Sequence, residues 1–142
     1  MESQLHMDYV RKIVSYINEH FSADERAFLL TDLPESTLHP SQVINGYRPD
    51  ALLIGRKIAL IGEAKTYKDI KPRHTKEQFV SYIKELQMLH NDKEKHLIIC
   101  SSAMVMAEIK NTLRHLHNEH DFSGVIVHVI NDLDLNNTIW HL

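Results

Sequence analysis

The chain has 142 residues, of which 43% are hydrophobic and 25% charged, with a formal net charge of −3 at pH 7. That is enough apolar material for one core, so residues 1–142 are expected to form a single globular domain. The acidic balance excludes a protein that coats nucleic acid through bulk charge, because nonspecific phosphate binding scales with the number of Lys and Arg contacts.

The apolar runs reach four or five residues, far short of the ~20 that a spanning helix needs. No basic segment leads into a run of signal-peptide length, so no membrane association and no processing are expected. The single cysteine, Cys100 in "HLIIC", rules out an internal disulfide and fits a reducing compartment, by default the cytoplasm.

Along the chain, Val10, Ile13, Val14, Ile17 and Phe21 repeat at helical spacing and predict an amphipathic helix from Leu5 to Phe21. Ser22 and Glu25 have capping-box spacing, which favours a second helix over "ADERAFLLTDL", with a strand starting at "AFLL" as the competing assignment. Pro34 to Pro40 reads as a loop. "SQVING", "DALLIG" and "KIALIGEAKT" then read as three antiparallel strands, the last two joined by a tight turn at Gly55-Arg56. Thr75 to Leu89 returns to helical period, with Thr75 as a candidate N-cap. "KHLIICSS" is a buried strand, Met104 to Asn118 a helix, "GVIVHVI" a strand, and "NTIW" a short edge strand. The fold class is therefore α/β, a mixed central sheet with an antiparallel meander between layers of helices.

Three charges break this apolar pattern. In "IALIGEAKT" Glu63 and Lys65 share one strand face. A hairpin turning near residue 56 brings Asp50 close to residue 61 or 63 on the neighbouring strand, since paired positions then sum to 111 to 113. On their own Glu63 and Lys65 could be an exposed ion pair of small worth. Two carboxylates facing each other, however, destabilise a hairpin unless something cationic lies between them. Asp and Glu oxygens suit Mg²⁺ or Mn²⁺, and a neighbouring lysine can orient an attacking water and neutralise charge on a phosphoryl group.

"RPDALLIGRKIALIGEAKT" resembles the core of the PD-(D/E)XK nuclease superfamily: Pro49-Asp50, thirteen positions to Glu63, one residue, then Lys65. "QFVSY", from Gln78 to Tyr82, is similar to the Q-x-x-x-Y motif of its RecB-like branch, and "GYRPD" resembles that branch's G-x-x-D with one more residue between Gly46 and Asp50. The resemblance implies a restriction-endonuclease-like, three-layer fold and metal-dependent phosphodiester hydrolysis. It implies Asp50, Glu63 and the Ala64 carbonyl as ligands to Mg²⁺ or Mn²⁺, Lys65 assisting water, and Gln78 and Tyr82 at the site. A further acid from the first helical region is common in the superfamily, and Glu19 and Glu25 are both candidates.

The expected substrate is DNA, with RNA left open. Arg48, Lys68, Lys71, Arg73 and Lys76, with Lys57 nearby, are the candidate phosphate contacts. So small a chain would draw sequence selection from a homodimer or a partner protein. The competing reading is an inactive nuclease-fold module that binds nucleic acid or protein. "HLHNEH" is a weaker zinc candidate, because of its histidines only His117 and His120 share a helix face. "SSAM" lacks the glycines of a phosphate loop.

Overall fold

A computed structural model describes residues 3–40, 43–69 and 72–142. Its elements are α1 (Gln4–His20), α2 (Ala23–Arg26), β1 (Leu29–Thr31), β2 (Ala51–Ile54), β3 (Ile58–Lys65), a 3₁₀ turn (Tyr67–Asp69), α3 (Pro72–Leu89), β4 (Glu94–Ser101), α4 (Met106–Glu119), β5 (Val125–Asn131) and β6 (Thr138–His141). The strands form one sheet in the order β1-β2-β3-β4-β5-β6. Pairing is antiparallel from β1 to β3, parallel from β3 to β5, and antiparallel again at β6. The chain is thus α/β, a six-stranded mixed sheet flanked by helices. No helix among the described residues is long and apolar enough to cross a membrane.

Alternation along β3 sorts the core into two halves. Ala59 and Ile61 join Phe79, Tyr82, Ile83, Ile109 and Leu113 of α3 and α4. Leu60 and Ala64 join Val10, Ile13 and Ile17 of α1 on the other face. Two parallel crossovers in a sheet that advances in one direction put α3 and α4 on the same side, leaving the opposite side to α1. Gly62 lets α1 come close: a Cβ there would lie 3.0 Å from Ala51 Cβ and 3.1 Å from Ile13 Cγ2.

The meander differs from expectation at its first strand. "ADERAFLLTDL" is not one helix: α2 is a single turn, and β1 takes up Leu29–Thr31 beside β2. The β-branched and leucine residues there gain more by pairing with an open sheet edge than a short helix returns. Of "SQVING", Val43 to Gly46 do not form the first strand, and Ser41 and Gln42 lie outside the described residues. Asn45 and Gly46 have φ of 51° and 85°, an Asn-Gly turn that folds Ile44 back on Tyr47 in an isolated bridge. Helix α3 begins at Pro72, earlier than expected, which suits a residue with fixed φ and no N–H in a first turn. Thr75 is accordingly a buried helix residue and not its cap.

The β2–β3 turn spans Gly55 to Lys57 and is closed by Gly55 N–H donating to the Ile58 carbonyl at 2.8 Å. Glu25 clasps it from α2, one carboxylate oxygen accepting from Lys57 N–H at 2.8 Å. The other oxygen lies where a Cβ on residue 55 would sit, 1.7 Å away. Gly55→Ala should therefore expel Glu25 and cost about 1–2 kcal/mol, the worth of a charged hydrogen bond lost to a part-buried backbone N–H. Urea unfolding can check this through a double-mutant cycle, in which Gly55→Ala costs little once Glu25 is already Ala.

Candidate active site

Asp50 sits just before β2 and Glu63 near the end of β3. The register pairs Ala51 with Gly62, so Asp50 stands opposite Glu63, the 113 sum of the two expected. Asp50 N–H donates to the Gly62 carbonyl at 3.1 Å, and the Asp32 N–H donates to the Asp50 carbonyl at 3.0 Å. The side chain then takes over from the ladder: Asp50 Oδ2 accepts from Ala64 N–H at 2.9 Å. The carboxylate is thereby fixed against the residue that separates Glu63 from Lys65.

Asp50, Glu63 and Lys65 are 5%, 5% and 4% exposed, an unusual degree of burial for three ionisable groups in one place. Glu63 Oε1 accepts from the Tyr82 hydroxyl at 2.8 Å, and Gln78 Nε2 lies 3.4 Å from the same hydroxyl. The Q-x-x-x-Y pair thus does point from α3 at Glu63, as residues four apart on one helix face can. Burial first, then the Asp50 carboxylate, raises the Glu63 pKa well above the ordinary carboxylate range; Lys65 and the Tyr82 hydroxyl offset this only in part. Burial and Glu63 also hold the Tyr82 hydroxyl protonated, so it remains a donor. Two buried acids this close resist carrying two charges at once, and either a proton shared between them or a cation relieves that.

The donor set fits a hard divalent ion: two carboxylates, with the Ala64 carbonyl between Glu63 and Lys65 as a further oxygen. Gln78 Oε1 is buried with no hydrogen-bond partner among the described residues, a second oxygen in want of a donor or cation. Among the described residues no three His, Cys, Asp or Glu side chains make a ligand cluster of their own.

His6 was not among the expected residues. From the first turns of α1 its Nε2 reaches Asp50 Oδ1 at 3.0 Å, and it is buried. A signal was present, since His6 falls in step with Tyr9, Val10, Ile13 and Ile17 on the buried stripe of α1. Glu19 and Glu25, the acids considered from this region, are not at the site. Glu25 clasps the opposite end of the β2–β3 hairpin, and Glu19 is exposed on the later part of α1, away from the turn that carries His6. Lys57 lies in that same far turn and so is removed from Glu63 by the length of β3.

Arg48, Lys68, Arg73 and Lys76 are exposed and lie within a few residues of the site or on the opening turns of α3. Arg73 also pairs with Glu77 at 3.3 Å, a surface contact too weak to withhold it from a phosphate. Lys71 lies outside the described residues. His117 and His120 stack near Phe122, with ring centroids 6.3 and 5.8 Å away, a packing role. At "SSAM" the Ala103 N–H is taken by Asp132 Oδ1 at 3.0 Å, so an internal carboxylate already occupies that helix start.

No protein-family model, curated protein or solved structure matches the chain.

Proposed function

We infer that the protein is a metal-dependent nuclease that hydrolyses phosphodiester bonds, in DNA before RNA, on a fold of the restriction-endonuclease type. The reading rests above all on the buried Asp50–Glu63 pair with Lys65 on the same strand face. The site also lies at the carboxyl ends of β3, β4 and β5, where open α/β sheets bind ligands. The resemblance of "PD", "EAK" and "QFVSY" to the PD-(D/E)XK superfamily gives the same answer from the sequence side.

Asp50, Glu63 and the Ala64 carbonyl would hold Mg²⁺ or Mn²⁺, which supplies Lewis-acid activation of the phosphodiester and relieves the like-charge repulsion in the pair. His6 and the Ala64 N–H keep Asp50 in place from two directions. Tyr82 does the same for Glu63, with Gln78 next to its hydroxyl. Lys65 directs its ammonium to the attacking water and to the phosphate oxygens that gain charge in the transition state. Arg48, Lys68, Arg73 and Lys76 contribute phosphate contacts that position the strand without reading its sequence.

The purified protein, incubated with Mg²⁺ or Mn²⁺, should cleave at least one of single-stranded, duplex or branched DNA or RNA, and chelation should stop it. Asp50→Asn should lower that cleavage at least about 10²–10³-fold with the circular-dichroism spectrum unchanged. A wild type no more active than Asp50→Asn on the whole panel would overturn the nuclease reading.

A further inference from the structure

At the opposite end of α1, a line of four polar side chains crosses the buried face of the sheet. The Tyr16 hydroxyl lies 2.7 Å from His128 Nδ1, His128 Nε2 lies 2.8 Å from His96 Nδ1, and His96 Nε2 lies 2.7 Å from Glu94 Oε1. Tyr16, His96 and His128 are buried, whereas Glu94 is exposed. Around them runs a groove of about 570 Å³. Phe21, the residue after α1, meets His96 edge-on at 4.9 Å. His20 stacks on Tyr16 at 4.0 Å, with its Nδ1–H on the Tyr16 carbonyl at 2.8 Å.

The bonding pattern determines where the protons are. Glu94 accepts, so His96 carries its proton on Nε2 and accepts at Nδ1; His128 Nε2–H donates there and Nδ1 accepts from Tyr16 O–H. With both imidazoles neutral, every link has one donor and one acceptor. One added proton turns the Tyr16 link round and leaves its hydroxyl without that acceptor. A second sets two N–H groups against each other across the His96–His128 link.

We propose that Tyr16, His128, His96 and Glu94 form a proton-operated latch that holds the last two turns of α1 on the sheet and releases them in acid. Apart from Glu94 at the outer end, most groups facing the pair oppose a charged imidazole. From α1 there is His20, from β6 His141, and from the β2–β3 turn Arg56 and Lys57, all cationic or able to become so. Of the acids in the groove, Glu25 gives one oxygen to Lys57 N–H and keeps the other buried with no hydrogen-bond partner among the described residues, Asp24 lies on the exposed surface of α2, and Glu94, bonded to His96, is the one that favours a charged ring. Burial, then the neighbouring imidazoles, lowers His128 to about 3, and burial lowers His96 despite Glu94. Both depressions mean that protons prefer the open state, where imidazoles have their ordinary affinity. The latched state is fully favoured above about pH 6.5 and loses ground as pH falls from there towards 3, by about tenfold per pH unit for each proton taken up.

Hydrogen exchange on the full chain between pH 7.5 and 4.5, corrected for intrinsic exchange rates, tests this. Protection of amides 14–20 should fall about tenfold or more per pH unit below about pH 6, ahead of the amides of α4. His96→Gln/His128→Gln should abolish that local pH dependence. Imidazole ¹⁵N shifts of the wild type provide a reading that needs no variant: both rings should stay neutral at every pH where α1 remains protected. The latch is refuted if α1 protection does not change with pH, if α1 and α4 lose it together, or if both rings titrate near 6.5 with α1 undisturbed.

Discussion

Glu63→Gln should make the metal-free protein more stable while removing its cleavage activity. In the wild type Glu63 is buried beside Asp50, and its pKa is raised by burial and by that carboxylate. A carboxyl with a raised folded-state pKa contributes stability that is complete below its unfolded value, about 4.3, and is lost as pH rises towards the folded value. The metal-free wild type therefore carries a penalty at neutral pH that glutamine does not. The amide can still accept from Tyr82, and its NH₂ can donate to Asp50 as the protonated Glu63 carboxyl does, without having to hold a proton at neutral pH. A gain of about 1–3 kcal/mol is expected, with a flatter dependence of melting temperature on pH above 7. His96 and His128 act in the opposite sense and below about pH 6.5, so they do not interfere in that window. Adding Mg²⁺ or Mn²⁺ to about a thousand times Kd should reverse the ranking: the wild type rises by about 4.1 kcal/mol, and the variant does not respond. Thermal melts with and without metal at pH 7.5 decide it. A metal-free variant less stable than wild type would mean that the pair is a structural hydrogen bond and not a cation site.

Which residues of the candidate site come together was more legible in the sequence than the frame around them. Asp50, Glu63 and Lys65 were legible because a period of two resolves strand faces, and because a short hairpin restricts the register to a few sums. Tyr82 and Gln78 were legible because an i,i+4 pair must share a face. The first strand was not legible. "AFLL" has the composition of either element, and what decides it is the open edge of β2, a tertiary partner that local pattern cannot show. "SQVING" misled because Asn45-Gly46 is a turn inside an apparent strand. His6 lay on the stripe of α1 but forty-four positions from Asp50; its role depends on how closely α1 settles over Gly62. The Tyr16–His128–His96–Glu94 line is of the same kind, assembled from three elements with no local signature.

Lys65→Met should lower cleavage by about 10²–10⁴-fold and leave the response to metal intact. Lys65 is buried at the end of β3 and its charge acts on Glu63, favouring the ionised carboxylate. Were its task to neutralise that carboxylate, losing it would cost stability and would disturb the pair. Methionine preserves most of the apolar stem, so the cost falls on the metal-free protein, where Glu63 loses its buried cation, and a bound metal should offset it. The substitution also removes a cation that competes for Glu63 with Mg²⁺ or Mn²⁺, so the metal-induced rise in melting temperature should be equal or larger. What disappears is the proton donor and positive charge at the point where a phosphate would gain negative charge, and that appears in kcat more than in KM. Lys65→Arg should rescue little, since a planar fork does not replace a compact ammonium in a closed space. The decisive pattern is retained metal response with lost turnover. A Lys65→Met protein within tenfold of wild-type activity would remove Lys65 from the chemistry, and one that also lost its metal response would make it a structural partner of Glu63.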